Sequence, residues 1–250
     1  AEYVRDIFAR DTQLAMGELS SHGNFAHLYL NGVYWGLYNP SERPDAGFLS
    51  EHYGGEKDDW DAMNSGEMVD GNREAWNTMM GIAEDGLETQ AAYDQIQEYL
   101  DVDNLITYMI VNHYIGNVDW SDKNWYAGRL RETGEGYRTF SWDSELAIFG
   151  LWDNNIDHNA GDTPQRLFHQ LRDNPEFRLL YADHLHRHLF NGGALTPGSC
   201  IERYTKRSDE IYTAIIGESA RWGDNLMGTH SGLPYTRDDD WIPSVNYILD

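Results

Sequence analysis

Positive charge is what this chain has least of. Eighteen Lys and Arg residues stand against 42 Asp and Glu, a formal charge of −24 over 250 residues. So acidic a surface repels phosphate backbones and anionic bilayers, which excludes nucleic acid and membrane surfaces as partners. Lysine occurs only at Lys57, Lys123 and Lys206, so each is a candidate wherever an anionic ligand needs neutralising. The single cysteine, Cys200, excludes an intrachain disulfide and a cysteine-rich zinc site, and reads as a small buried apolar group. No stretch approaches the ~20 apolar residues of a membrane span. A secretory leader is not visible either, since Ala1 opens directly on a helical pattern. The missing initiator Met and the abrupt stop at Asp250 suggest a processed or excised piece, compatible with export to a cell surface. Neither a G-x-S-x-G elbow nor a P-loop occurs, which removes the commonest esterase and NTPase readings.

What is present points to a folded domain. An apolar fraction of 40% with 13% aromatics supports a packed core rather than disorder. The pattern predicts an α+β chain with no internal repeat. It opens on a helix, followed by a hairpin across Asn31-Gly32, the dipeptide of a type I′ turn. Residues 39–72 read as loop with short helical pieces. Helix returns over 73–100 with a break at Gly86. A core-facing helix capped by Asp101 or Asp103 then carries Val102, Leu105, Ile106, Met109 and Ile110 on one stripe and ends near Gly116. Two strands, 124–130 and 137–142, flank the loop 131–136. Later helices start at Thr163-Pro164 and Asn174-Pro175, one stops at Asn191-Gly192-Gly193, and another spans roughly 199–216 before an irregular acidic tail. The expected architecture is a small β-containing portion, 1–72, on a larger helical portion, 73–250, within one domain.

The chemistry concentrates between residues 117 and 145. Asp119 follows the buried helix, Asn124 comes five positions later, and Asp143 follows the second strand. Phosphoryl transfer is mostly positioning and charge neutralisation. It needs one carboxylate facing the acceptor hydroxyl, and hard oxygen ligands for magnesium. Asp119 fits the first role, and Asn124 with Asp143 fits the second. Lys123 either neutralises the transferred phosphate or pairs with Asp119 or Asp122. The bland alternative makes Asp119 and Asp122 a turn and Asp143 the cap of a helix starting at Ser144.

Three segments, "HLYLNGVYWGLYNPSERPD", "NHYIGNVDWSDKNWYAGR" and "FSWDSELAIFG", together resemble the CotH (spore coat protein H) family of atypical, secretory-type protein kinases. The similarity runs on to "NPEFRLLYADHLHRHLFNGGALTP". It implies a kinase-like fold, ATP with Mg2+ or Mn2+ as cofactors, and transfer to Ser or Thr of a protein substrate. It also suggests an extracellular, cell-surface or spore-coat setting. By motif, Asp119 falls on the family's catalytic aspartate and Asp143 on its metal-binding aspartate. Glu42 matches the family's glutamate after the hairpin, placed to pair with a phosphate-binding base. Lys57 is the only lysine before the catalytic loop, and Asn64 stands where some relatives carry lysine. Family members usually carry a basic, lysine-containing strand segment before the opening helix. A second reading is therefore a non-catalytic, pseudokinase-like assembly module.

Other constellations read as packing. His184 and His188 share a helix face at i, i+4, but that face continues an apolar stripe, and His113 ends the buried helix. The pairs Asp143 with Glu145, or Asp119 with Asp143, also suit a glycosidase, with Trp35, Trp120, Trp125 and Trp142 available for sugar stacking. The acidic loop 153–162 lacks the order of a calcium-binding EF-hand loop and reads as solvated.

Overall fold

A computed structural model describes residues 3–132, 134–227 and 232–250. Residues 1 and 2 of the expected opening helix, Thr133 of the expected hairpin loop and residues 228–231 of the expected tail lie outside them. The fold is α+β. Helix α1 (Arg5–Ala15) precedes the hairpin β1 (Ala26–Leu30) and β2 (Val33–Tyr38). Asn31 and Gly32 both take positive φ, 51° and 81°, as a type I′ turn requires.

Two features of residues 39–72 correct the expectation of loop. After α2 (Ala46–Tyr53), strands β3 (Trp60–Asn64) and β4 (Glu67–Asp70) form a second hairpin. Its turn is Ser65-Gly66, again with positive φ at both residues. This short, charged stretch lacks the alternation that marks the first hairpin. β3 is buried almost throughout, so burial rather than patterning decides it.

Helices α3 (Glu74–Glu84), α4 (Gln90–Ile96) and α5 (Val102–Tyr114) follow, with the expected break at Gly86 and the Asp101 carboxylate capping α5. Strands β5 (Trp125–Leu130) and β6 (Arg138–Ser141) then join the earlier pair in one antiparallel sheet, ordered β4-β3-β5-β6. That sheet bridges the boundary drawn at residue 72, since β3 pairs with β5 from Trp60↔Leu130 to Asn64↔Tyr126. Helix α2 lies against it so closely that a Cβ on Gly128 would stand 2.2 Å from Leu49.

Helices α6 (Pro164–Leu171), α7 (Pro175–Leu189), α8 (Pro197–Ile211), α9 (Ala214–Trp222) and α10 (Ile242–Leu249) complete the chain. Two further corrections fall here: the helix expected over 199–216 is two helices, and the tail is regular from Arg237 onward. Trp241 and Val245 are buried in the main core, which gives the tail an apolar anchor and lets it close as a π-turn and α10. The first hairpin also leans on the C-terminal helices. Leu37 N–H donates to Glu218 (2.7 Å) and Trp222 Nε1 donates to the Trp35 carbonyl (2.6 Å). None of the described helices is long and apolar enough to cross a membrane.

Candidate active site

Strand β6 delivers Asp143. One edge of β6 pairs with β5. On its other side two buried amides take the place of a neighbouring strand. Gln13 of α1 donates to the Thr139 carbonyl (2.8 Å) and accepts from Ser141 N–H (2.9 Å). Asn104 of α5 accepts from Thr139 N–H (2.6 Å) and from its hydroxyl (3.0 Å). These bonds satisfy the strand's polar backbone and fix its end two residues before Asp143. Asp143 itself sits at φ 54°, the left-handed region that Asp tolerates better than most residues. No helix starts at Ser144, so Asp143 is not a helix cap.

The loop carrying Asp119 is set from below. Gly116, at φ 55°, turns the chain out of α5, and a Cβ there would stand 3.0 Å from Asp153 Cβ. Asn117 is fully buried and donates to Asn112 Oδ1 (3.2 Å) and Ser144 Oγ (3.4 Å). Its carbonyl accepts from Asn155 (2.7 Å), whose own carbonyl accepts from Gln165 (2.7 Å). Backbone bonds Val118 N–H to Leu146 O (3.0 Å) and Ile148 N–H to Ile115 O (2.8 Å) lace the segment after Asp143 to the segment before Asp119. A buried polar network of this kind fixes one geometry because any unmade bond is expensive.

Within that frame Lys123 Nζ stands 2.8 Å from Asp119 Oδ1. Asn124 Nδ2 donates to the Asp119 carbonyl (2.8 Å) and to its carboxylate Oδ2 (3.2 Å). Both partners are acceptors, so the amide nitrogen must face them and Oδ1 is the oxygen left over. Asn124 and Ser121 adopt positive φ, 63° and 109°, a departure that clusters at functional sites.

Partial burial raises the Asp143 pKa, and the charges of Asp6 and Asp119 raise it further against the pull of Lys123. Glu145 is raised by burial first, then by Asp143, Asp6 and Asp119. Asp119 and Asp143 are therefore close enough to feel each other's charge. Conversely, the Asp119 hydrogen bond and charge raise the Lys123 pKa, with smaller contributions from Asp122 and Asp143. Five carboxylates against the Lys123 ammonium and the Arg10 guanidinium paired with Asp6 leave an excess of negative charge suited to a hard divalent cation. Asn124 Oδ1 and the Asp143 carboxylate are oxygen donors of the kind magnesium or manganese takes.

Asp6 is the member that sequence reasoning missed. Its Oδ1 accepts from Ser144 N–H (2.9 Å) and its Oδ2 from Arg10 (2.8 Å), so it helps hold the backbone beside Asp143. In sequence it shows only as one half of an i, i+4 ion pair on a helix. Asn117 stood inside a quoted motif, but nothing local reveals that it is buried.

Glu42 and Lys57 stand apart from this cluster. Lys57 faces Asp70 at 3.6 Å, and Glu42 is held by His22 (2.7 Å) and His52 (3.5 Å). Among the described residues no ion pair joins Glu42 to a lysine or arginine.

Trp120, Trp125 and Trp142 pack rather than line a sugar groove, while Trp35 is partly exposed against Trp222. Trp125 stacks on Trp76, Trp142 meets Tyr126 edge-on, and Trp120 donates its N–H to the buried Tyr108 hydroxyl. His184 bonds Asp103 (2.9 Å), while burial foremost, then the charge of His184, pulls the His188 pKa down to about 4. His113, half-buried against Trp120 and Phe168, is likewise pulled to about 4, chiefly by desolvation of its ring. It backs the loop through Trp120.

The family model described as CotH kinase protein matches residues 1–250, the whole chain. No curated protein matches it.

Proposed function

This chain belongs to the CotH kinase protein family, and we propose that it transfers the γ-phosphoryl group of ATP to Ser or Thr hydroxyls of a protein. The acceptor oxygen forms the new P–O bond, the bond to the β-phosphate bridging oxygen breaks, and ADP leaves. Asp119 orients the hydroxyl and receives its proton. Asn124 and Asp143 would hold Mg2+ or Mn2+, which supplies charge neutralisation on the transferring group. Lys123, already drawn to this anionic cluster, swings its ammonium between Asp119 and the phosphate. Lys57 and Glu42, expected on the nucleotide side, share no contact with the cluster, so we assign the phosphate-facing role to Lys123.

The observation that carries this reading is the commitment of both Asn124 amide hydrogens to Asp119. It ties the hydroxyl-facing carboxylate to a metal-facing carbonyl within one loop. The test is transfer of radiolabelled γ-phosphate, with Mg2+ or Mn2+, to the protein itself or to a generic Ser/Thr-rich acceptor. Wild type labels and Asp143→Ala does not. Equal labelling by both would end the catalytic reading. Absence of labelling together with no ATP-dependent thermal shift would favour an assembly module that keeps the fold alone.

A further inference from the structure

Three potential metal ligands converge outside the acidic cluster, and they come from three separate segments. His22 Nδ1 lies 2.7 Å from Glu42 Oε2, and His52 Nε2 lies 3.5 Å from Glu42 Oε1. All three donor groups fall within 4.8 Å of one another. We propose that His22, Glu42 and His52 bind a first-row transition-metal ion of the Zn2+ type, which clamps the loop after α1, the loop after β2 and the end of α2. Zn2+ takes imidazole nitrogen at ~2.0–2.1 Å and carboxylate oxygen at ~2.0–2.2 Å, and two His with one Glu is a known donor set that keeps a position open for water. Magnesium and calcium prefer all-oxygen shells. The site thus differs in kind from the oxygen-rich cluster around Asp143.

The scaffold favours convergence rather than chance proximity. His22 and Glu42 face each other across paired backbones: Glu42 N–H donates to His22 O (3.0 Å), and Asn24 N–H donates to Pro40 O (3.1 Å). Gly23 and Ser41 form a β-bridge between them. The Glu42 carboxylate also accepts from His22 N–H (2.9 Å), which aims it at the two imidazoles. His52 sits in the last turn of α2, its ring 4.6 Å from that of Phe48, which itself packs on Phe140 of β6.

Burial alone would raise the Glu42 pKa, but hydrogen bonds from His22 and the nearby imidazoles pull it below the usual value. The side chains are 55%, 39% and 25% exposed for His22, Glu42 and His52, so an ion reaches them without any opening of the fold. Small rotations that lengthen the His22–Glu42 contact would admit it. This inference does not depend on the phosphotransfer reading.

Metal-stripped protein titrated with Zn2+, and in parallel with Co2+ followed by its visible d–d absorption, tests it. Wild type takes one equivalent and its melting midpoint rises. His52→Ala and Glu42→Gln lose binding by more than about 100-fold, beyond what loss of an outer-shell partner costs. Asp143→Ala binds as wild type does. Retention of the ion by His52→Ala and Glu42→Gln, or its loss in Asp143→Ala, would overturn the assignment. Should the variants fail to fold, wild type alone decides. A wild type that takes up neither Zn2+ nor Co2+ would contradict the assignment.

Discussion

Asn124 spends both hydrogens of its side-chain amide on Asp119, one on the backbone carbonyl and one on the carboxylate. The pair acts as one unit, so removing the amide should loosen the carboxylate and delete an oxygen donor together. Asn124→Ala should lower kcat about 10²–10³-fold, the scale of losing one preorganised polar group, and should raise the Mn2+ concentration for half-maximal rate. Asn124→Asp keeps an oxygen for the ion but sets like charge against Asp119. It should recover only at high Mn2+. Steady-state kinetics with metal titration separates the two effects.

Lys123 tests a different link. Its ion pair with Asp119 lies at the surface, where such pairs contribute little to stability. Lys123→Ala should leave the melting midpoint unchanged while raising KM for ATP and lowering kcat about tenfold or more, within the range for an electrostatic contact to a transferring phosphate. A variant with wild-type kinetics would return Lys123 to a surface pairing role.

Asp143 predicts opposite signs for stability and activity. Its folded pKa is raised by burial and by Asp6 and Asp119. The folded state therefore holds a proton that the unfolded state has released, and stability falls as pH rises from the unfolded value through the raised one. Above that window the partly desolvated charge, repelled by Asp6 and Asp119, remains a penalty. Asp143→Asn should raise the melting midpoint at neutral pH by about a few degrees, and should have no such effect near pH 3, where both forms are neutral. The same variant should be inactive, and wild type should recover the difference when Mn2+ is added. The acidic limb of the wild-type rate profile should lie above the ordinary carboxylate range. Asp6→Asn removes one repelling charge and should move that limb to lower pH.

The asparagine network beneath the loop is a stability prediction. Asn117 is completely buried and bonded to Asn112, Ser144 and Asn155. Asn117→Ala leaves buried partners unpaired, at about 1–3 kcal/mol each way such losses are measured. Urea unfolding should show a midpoint shift of that size with an unchanged slope. Asn117→Asp should be worse, because a buried charge replaces the amide nitrogen that donates to Asn112 and Ser144.

Legibility followed the range of each signal. The first hairpin was readable because Asn-Gly demands positive φ at both turn positions, and α5 because its apolar stripe spans three turns. Asp119, Asn124 and Asp143 could be proposed because loop chemistry keeps its spacing in sequence. β3 and β4 were not, since Trp60–Asn64 becomes a strand by pairing with Trp125–Leu130, a partner far along the chain. Asp6 escaped for the same reason. Its role exists only once α1 docks beside β6, a contact set by Gln13 rather than by any local pattern. His22, Glu42 and His52 are separated by intervals that match no ligand spacing, and only the β-bridge at Gly23 and Ser41 brings two of them face to face.

The account rests on side chains from two loops sharing one ion. The most direct measurement is a crystal structure with Mn2+ and a non-hydrolysable ATP analogue, with the metal located by its anomalous signal. The prediction is a manganese peak between Asn124 Oδ1 and the Asp143 carboxylate, bridged to the phosphates, with Asp119 Oδ1 turned to the open side. Nucleotide bound with its metal elsewhere, or an anomalous peak that leaves Asp143 unligated, would contradict it.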